Sequence, residues 1–182
     1  MNRNTIRQHR EKRDKILVLR QHVPEDAEFL YAHFGTDEKM SAYSGWNPYA
    51  APEMARDTIR RFIDSYADEF FFGWAIDADK RMIGTIGAYD YDANLSCIEV
   101  GISIDRDNWG KGYATEALKA VLSYLTHDKQ IRVVKAWCAS DNIGSKKVME
   151  KCGMKSAGVE SGALRINGKV FDKLNYEYSA EK

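Results

Sequence analysis

Residues Glu99 to Leu118 read Glu-Val-Gly-Ile-Ser-Ile-Asp-Arg-Asp-Asn-Trp-Gly-Lys-Gly-Tyr-Ala-Thr-Glu-Ala-Leu. A strand-like apolar run ends near Ile104, a glycine-rich turn follows, and an amphipathic helix pattern starts near Tyr113. The first N–H groups of a helix have no partner within it. Those of residues 110 to 114 would converge on one point with the helix dipole behind them. That makes an anion site suited to a diphosphate. Gly110 and Gly112 let the backbone approach phosphate oxygens with no side chain in the way.

Several ligands could use such a turn. A P-loop needs Gly-Lys followed by Ser or Thr, which the chain lacks. A dinucleotide fingerprint needs a third glycine, where Thr115 stands, and an acid about twenty residues on, where Val133, Val134 and Lys135 stand. A turn with no ligand stays open on this segment alone, and nucleotide binding through Gly110 to Ala114 predicts protection by ATP or NAD but not by coenzyme A.

A second segment narrows the choice. Asn142, Ser145, Val148, Glu150, Lys151, Gly153 and Met154 follow the next strand pattern and open the next helix pattern. Here the chain resembles the GNAT superfamily of acetyltransferases. Its phosphate motif, Gln/Arg-x-x-Gly-x-Gly/Ala, is matched by Gly112 and Ala114. Its second motif, Asn-x-x-Ala/Ser-x-x-Val/Leu-x-Glu-Lys-x-Gly-Phe/Met, is matched by the seven residues just named. The run Trp109 to Ala117 is similar to that of the ribosomal-protein alanine N-acetyltransferases, the Rim-type branch. Trp109 stands where the wider superfamily has Gln or Arg. Met149 stands where many members carry the tyrosine that protonates the leaving thiolate.

The resemblance, over about residues 16 to 178, implies an acetyl-CoA-dependent N-acetyltransferase with no metal, working by direct attack in a ternary complex. It implies a mixed α/β fold with a mostly antiparallel central sheet, flanked by helices and splayed between two central strands. Pantetheine would lie in the splay against Val100, Ile102, Ser103 and Ile104, like an added strand. An N–H near Ile102 would polarise the thioester carbonyl. Trp109, Gly110, Lys111, Gly112, Tyr113 and Ala114 would surround the diphosphate, with Asn142 and Ser145 alongside. Glu99 is the candidate base, acting directly or through water, and also reads as a surface glutamate at a strand start. Ser145 is the candidate acid, and also reads as a first-turn hydroxyl serving backbone N–H groups. Tyr43, Trp46 and Tyr49 fall in the family's acceptor-binding region, or simply pack two helices together.

The acceptor that the resemblance implies is a primary amine, with the α-amino group of a protein N-terminus as one candidate. That group, of pKa about 8, is roughly a tenth neutral at pH 7, against under a thousandth for lysine at about 10.4. A polyamine, aminoglycoside or amino acid remains an alternative. So does a catalytically silent acyl-CoA-binding module, for which the missing tyrosine speaks.

The elements that must position these groups follow from periodicity. Ile16 to Arg20 reads as a strand, and Pro24-Glu25-Asp26 opens a helix to His33 or Phe34. Ser44 to Tyr49 reads as a loop, and Pro52-Glu53 opens a second helix with Ala55, Ile59, Phe62, Ile63 and Tyr66 on one stripe. Strands are predicted over 70–76, 82–89 and 97–104, with a turn at 77–80. A helix is expected over Tyr113 to Leu125, a strand over 131–138 and a helix over 143–152. Asn167-Gly168 marks a hairpin between 163–166 and 170–178. A basic tail is expected over 1–15 and one domain over 16–182.

Composition agrees with an ordinary globular protein. With Lys+Arg 27 and Asp+Glu 27, no charge excess argues for nucleic acid or a membrane surface. Cys97, Cys138 and Cys152 form no metal-ligand spacing or disulfide frame, and the four histidines are scattered. No membrane span or signal-peptide pattern is present, so a cytoplasmic monomer or homodimer is expected.

Overall fold

The computed structural model describes residues 6–9, 16–43 and 48–180. In chain order the elements are β1 (Ile6–His9), β2 (Ile16–Arg20), α1 (Asp26–Phe29), α2 (Glu38–Ser41), α3 (Pro52–Ser65), β3 (Phe72–Ala78), β4 (Arg81–Asp92), β5 (Cys97–Ile104), α4 (Tyr113–Ser123), β6 (Val133–Ala139), α5 (Ile143–Lys151), β7 (Lys155–Ile166) and β8 (Lys169–Tyr178). Wider helical turns extend α1 through Leu30–Gly35 and α4 through Tyr124–Asp128. The strands form one sheet in the order β1-β2-β3-β4-β5-β6-β8-β7. Its pairs are antiparallel except β5 with β6, which run parallel.

Alternation along the strands gives the sheet two different faces. One buries Trp74, Ile76, Ile86, Ile98, Val100, Ile104 and Val134 against α4. That helix presents Ala117, Leu118, Val121, Leu122 and Leu125, each no more than 1% exposed, at the spacing of one helical stripe. Each such aliphatic side chain contributes about 1.5–3 kcal/mol by burial. The opposite face carries α1 and α3, whose Ala27, Leu30, Phe34, Ala55 and Ile59 form a second cluster. Gly73 lets α3 come close: a Cβ there would lie 2.8 Å from the Phe62 ring.

Several boundaries differ from the sequence expectation: α2 is absent from it, β4 runs on to Asp92 and β6 begins at Val133. Ile6–His9, inside the segment expected to be a tail, pair with β2, whose outer edge offers free backbone groups. β3 starts at Phe72 and includes Asp77 and Ala78, so the turn shrinks to Asp79-Lys80, at φ 52° and 66°. Phe70 instead stacks on Tyr91 at 4.1 Å. β7 runs from Lys155, well before Ala163, because its residues are mostly exposed and show no burial period to read. Cys97–Ile104 and the hairpin at Asn167-Gly168 fall where predicted, with φ 50° and 76° in the turn.

A polar cluster at the end of β2 ties α1 to the sheet. Arg20 Nη2 lies 2.8 Å from Asp26 Oδ1, and its Nε lies 2.7 Å from Asp77 Oδ2. His22 Nδ1 and the Val23 N–H also reach Asp26 Oδ2, at 3.2 and 3.0 Å. Burial alone would raise the Asp26 pKa, but the bonds from His22, Arg20 and Val23 outweigh it and hold the carboxyl well below the usual range. Since the folded value is depressed, this stabilisation is complete above the unfolded pKa of about 3.9 and is lost as pH falls below it. Asp26→Ala leaves Arg20 without one partner and should cost about 3 kcal/mol in urea unfolding at pH 7. A loss under about 1 kcal/mol would show that Asp77 alone suffices.

Candidate functional site

The feature that organises the site is an opening in the sheet. β5 and β6 pair only at Cys97↔Val133, Ile98↔Val134 and Glu99↔Lys135. Beyond that point each strand keeps only its outer partner. β4 stays with β5 as far as Gly84↔Ile104, and β8 stays with β6 as far as Ala139↔Lys173. The Asp105 N–H donates to the Ile83 carbonyl at 2.8 Å. By strand alternation the backbone groups of Gly101 and Ser103 therefore face β4, and those of Ile102 and Ile104 face the opening. Val100 and Ile104 bury their side chains on the α4 side, and Ser103 lies on the other face.

At the end of this slot, Trp109 to Gly112 form an exposed turn before α4. Gly110 and Gly112 take φ 71° and 85°, the left-handed region that β-carbons disfavour. Beyond its own chain neighbours, no atom lies within 4 Å of where a Gly110 Cβ would sit, so that side of the turn is open. Trp109 braces the turn: its indole N–H donates to the Ile104 carbonyl at 2.6 Å, while its ring stays half-exposed. The turn is further braced by Asn108 Nδ2 donating to Asp105 Oδ1 at 2.7 Å and Lys111 Nζ to Asn108 Oδ1 at 3.0 Å. Tyr113 is buried in the core beneath α4, and Ala114 packs against it. Slot and cradle adjoin, and these residues fit the diphosphate and amide-bearing arm that the resemblance implies.

Glu99 sits where the strands part, on the sheet face away from α4. Its Oε1 accepts the Trp137 indole N–H at 2.9 Å. The Tyr89 side chain stands beside it, and burial together with the Glu99 charge pushes Tyr89 up to about 12. Tyr89 pairs with Glu99 across β4 and β5, and its hydroxyl would lie 2.9 Å from a Cβ at Gly101. Beyond Trp137, the Lys173 ammonium lies 5.6 Å from the indole ring centroid and 3.7 Å from Glu160 Oε1. Sequence reading reached Glu99 but not Tyr89 or Trp137. Alternation puts each on a definite face only once the register between distant strands is known.

At the start of α5, Asn142 Oδ1 accepts the Ser145 N–H at 3.1 Å and so caps the helix. The Ser145 side chain is half-buried. Met149 is buried in the core. Cys138 faces the α4 side on the free part of β6, and burial pushes its thiol up to about 11. It is therefore a neutral thiol at pH 7.

The aromatic residues of the acceptor region divide. Tyr49 packs on Gly35, where a Cβ would meet its ring at 2.7 Å, within the α1–α3 cluster. Tyr43 lies edge-on to Phe171 of β8 at 5.6 Å. Trp46 lies outside the described residues. The α1–α2 segment is tied to the cradle by Arg106 Nε, 2.7 Å from Asp37 Oδ2.

Two surface cavities flank the cradle, one of about 500 Å³ beside His33, Asp37 and Arg106 and one of about 740 Å³ beside Arg81, Lys111 and Tyr113. Neither is lined by the slot residues of β5 and β6. Among the described residues no cluster of His, Cys, Asp or Glu could hold a metal ion, and no helix is long and apolar enough to cross a membrane.

Comparison with known proteins places this architecture. The family model for the acetyltransferase (GNAT) domain matches residues 17–155. YoaA of Bacillus subtilis (strain 168), named an uncharacterized N-acetyltransferase, is 30% identical over 162 residues, covering 88% of this chain and 91% of that protein. The fold is shared with the microcin C7 self immunity acetyltransferase MccE, solved with acetyl-CoA and AMP, at a TM-score of 0.84 and 19% identity over 92% of this chain and 94% of that one. It is shared too with the ribosomal-protein-S5-alanine acetyltransferase of Vibrio fischeri, at a TM-score of 0.82 and 18% identity over 96% of both chains.

Proposed function

The chain belongs to the GNAT acetyltransferases, and from that premise we propose that it transfers the acetyl group of acetyl-CoA to an α-amino group, foremost that of a protein N-terminus. The observation that carries the reading is the parting of β5 and β6 after Glu99, which leads from a carboxylate to an open diphosphate cradle. When bound, acetyl-CoA supplies the activated acyl group.

The chain's own residues do the rest. Backbone groups of Ile102 and the Ile104 N–H hold the cofactor arm in line, and the Ile102 N–H polarises the thioester oxygen. Glu99 takes the proton from the incoming ammonium, directly or through one water, so that the neutral nitrogen forms the new amide bond as the carbon–sulfur bond breaks. The Ser145 hydroxyl, or a water that it holds, gives a proton to the departing thiolate, and the second proton lost by the nitrogen as the amide forms restores that donor. Holding both reactants in one slot supplies the larger share of the rate.

An α-amino acceptor suits a site with one carboxylate at the junction, because its amine is already partly neutral at pH 7. Around Glu99 the sheet face alternates in sign: Lys135 stands opposite Glu177, and Lys173 pairs with Glu160. A strongly acidic pocket, which a polyamine would favour, is not what these residues build. Free-thiol release from acetyl-CoA at pH 7 tests the reading. Peptides with a free N-terminus should turn over, and N-blocked peptides carrying lysine should not. Turnover confined to polyamines or aminoglycosides would move the acceptor to that class. Stabilisation by coenzyme A with no turnover on any amine would make the chain a silent binding module.

A further inference from the structure

We infer that Trp137 is a positioning residue for acetyl transfer: its indole N–H spans the opening between β5 and β6 and holds the Glu99 carboxylate toward the acceptor, with the Tyr89 ring alongside. The inference rests on the reading of Glu99 as proton acceptor.

Trp137 lies two residues beyond Lys135, the last β6 residue paired with β5. Its strand has by then left β5 and bonds only to β8, through Asn175. Yet its indole returns across the gap to Glu99 Oε1 at 2.9 Å. The two strands are therefore joined by side chains where their backbones have separated. The link lies on the acceptor face, opposite the buried Val100 and Cys138.

The chemistry of the partners fits a proton-accepting carboxylate. An indole N–H is a donor only, so it orients Glu99 without competing for the proton that Glu99 must collect. Tyr89 stays protonated beside it, since burial and Glu99 push it up to about 12. The single indole bond leaves most of the carboxylate's accepting capacity free for an amine or a water. The cluster is itself fixed. Gly101 makes room for the Tyr89 hydroxyl, and Lys173 stands over the indole ring from β8. A free glutamate would rotate about three side-chain bonds, and only a fraction of its rotamers would face an acceptor.

A double-mutant cycle in the full-length protein tests the role. Trp137→Phe keeps an aromatic plane and removes the donor; it should lower kcat about tenfold, leaving KM for acetyl-CoA within about twofold. In a Glu99→Gln background the same change should have little further effect, because its effect runs through Glu99. Equal losses in both backgrounds would overturn the inference and make Trp137 a packing residue. Full activity in Glu99→Gln would instead sink the reading of Glu99 as base.

The Trp137 indole ¹H–¹⁵N resonance, assigned by its loss in Trp137→Phe, decides the geometry without any acceptor. It should exchange slowly with solvent and move on Glu99→Ala. A resonance unchanged by Glu99→Ala would overturn the inference whatever the kinetics show.

Discussion

Substituting glutamine for Glu99 lowers kcat for acetyl transfer by about 10²- to 10⁴-fold, the usual contribution of a general base, and leaves coenzyme A binding within about twofold. Glutamine keeps the volume and a carbonyl oxygen that can still accept from Trp137 Nε1, so the cluster stays assembled while its charge and basicity go. The deficit should depend on pH in a definite sense. Near pH 9 an α-amine of pKa about 8 is mostly neutral without help, so wild type and variant converge as pH rises. Steady-state kinetics from pH 6 to pH 9, with calorimetry for coenzyme A, measure both quantities. An unchanged kcat, or a loss of coenzyme A affinity matching the loss of rate, would exclude the role.

The second large effect concerns the cradle. Gly112 sits at φ 85°, immediately before α4, and its carbonyl accepts the Glu116 N–H at 3.1 Å. Valine there costs about 1–2 kcal/mol in the left-handed region, more for its branched carbon. The turn relaxes by moving, and the converging N–H groups lose their common aim. Loss of one charge-assisted bond to the diphosphate, worth about 1.5–3 kcal/mol, raises the Kd for coenzyme A about 10- to 100-fold. Gly110→Ala is the milder comparison, because no neighbour meets its Cβ and only the backbone cost remains. Calorimetry should therefore rank Gly112→Val well above Gly110→Ala. A lowered Tm with unchanged Kd in Gly112→Val would mean that the turn is structural and binds nothing.

How far the sequence reaches can be followed residue by residue. The stripe Ala117, Leu118, Val121, Leu122 and Leu125 and the turn Asn167-Gly168 encode their structures locally, and both lie where their periods and residue types put them. β7 was legible only at its end, because a strand exposed on both faces has no alternation to read. Ile6–His9 gave no signal, since that strand is defined by its pairing with β2. The glycines of the cradle were legible from their spacing alone. Where β5 leaves β6 was not, and it entered through the family resemblance. The meeting of Tyr89, Glu99 and Trp137 depends on register across three strands, a property of the assembled sheet.

The Trp109 indole bond to the Ile104 carbonyl has a consequence for measurement of length. It occupies the final acceptor on the open edge of β5, just as the pairing of Glu99 with Lys135 closes the other end. A linear molecule laid between two fixed stops is registered by its own span, like a rod in a jig. Its reactive end then arrives at the same point on every turnover, with no need for the protein to grasp the small group being moved.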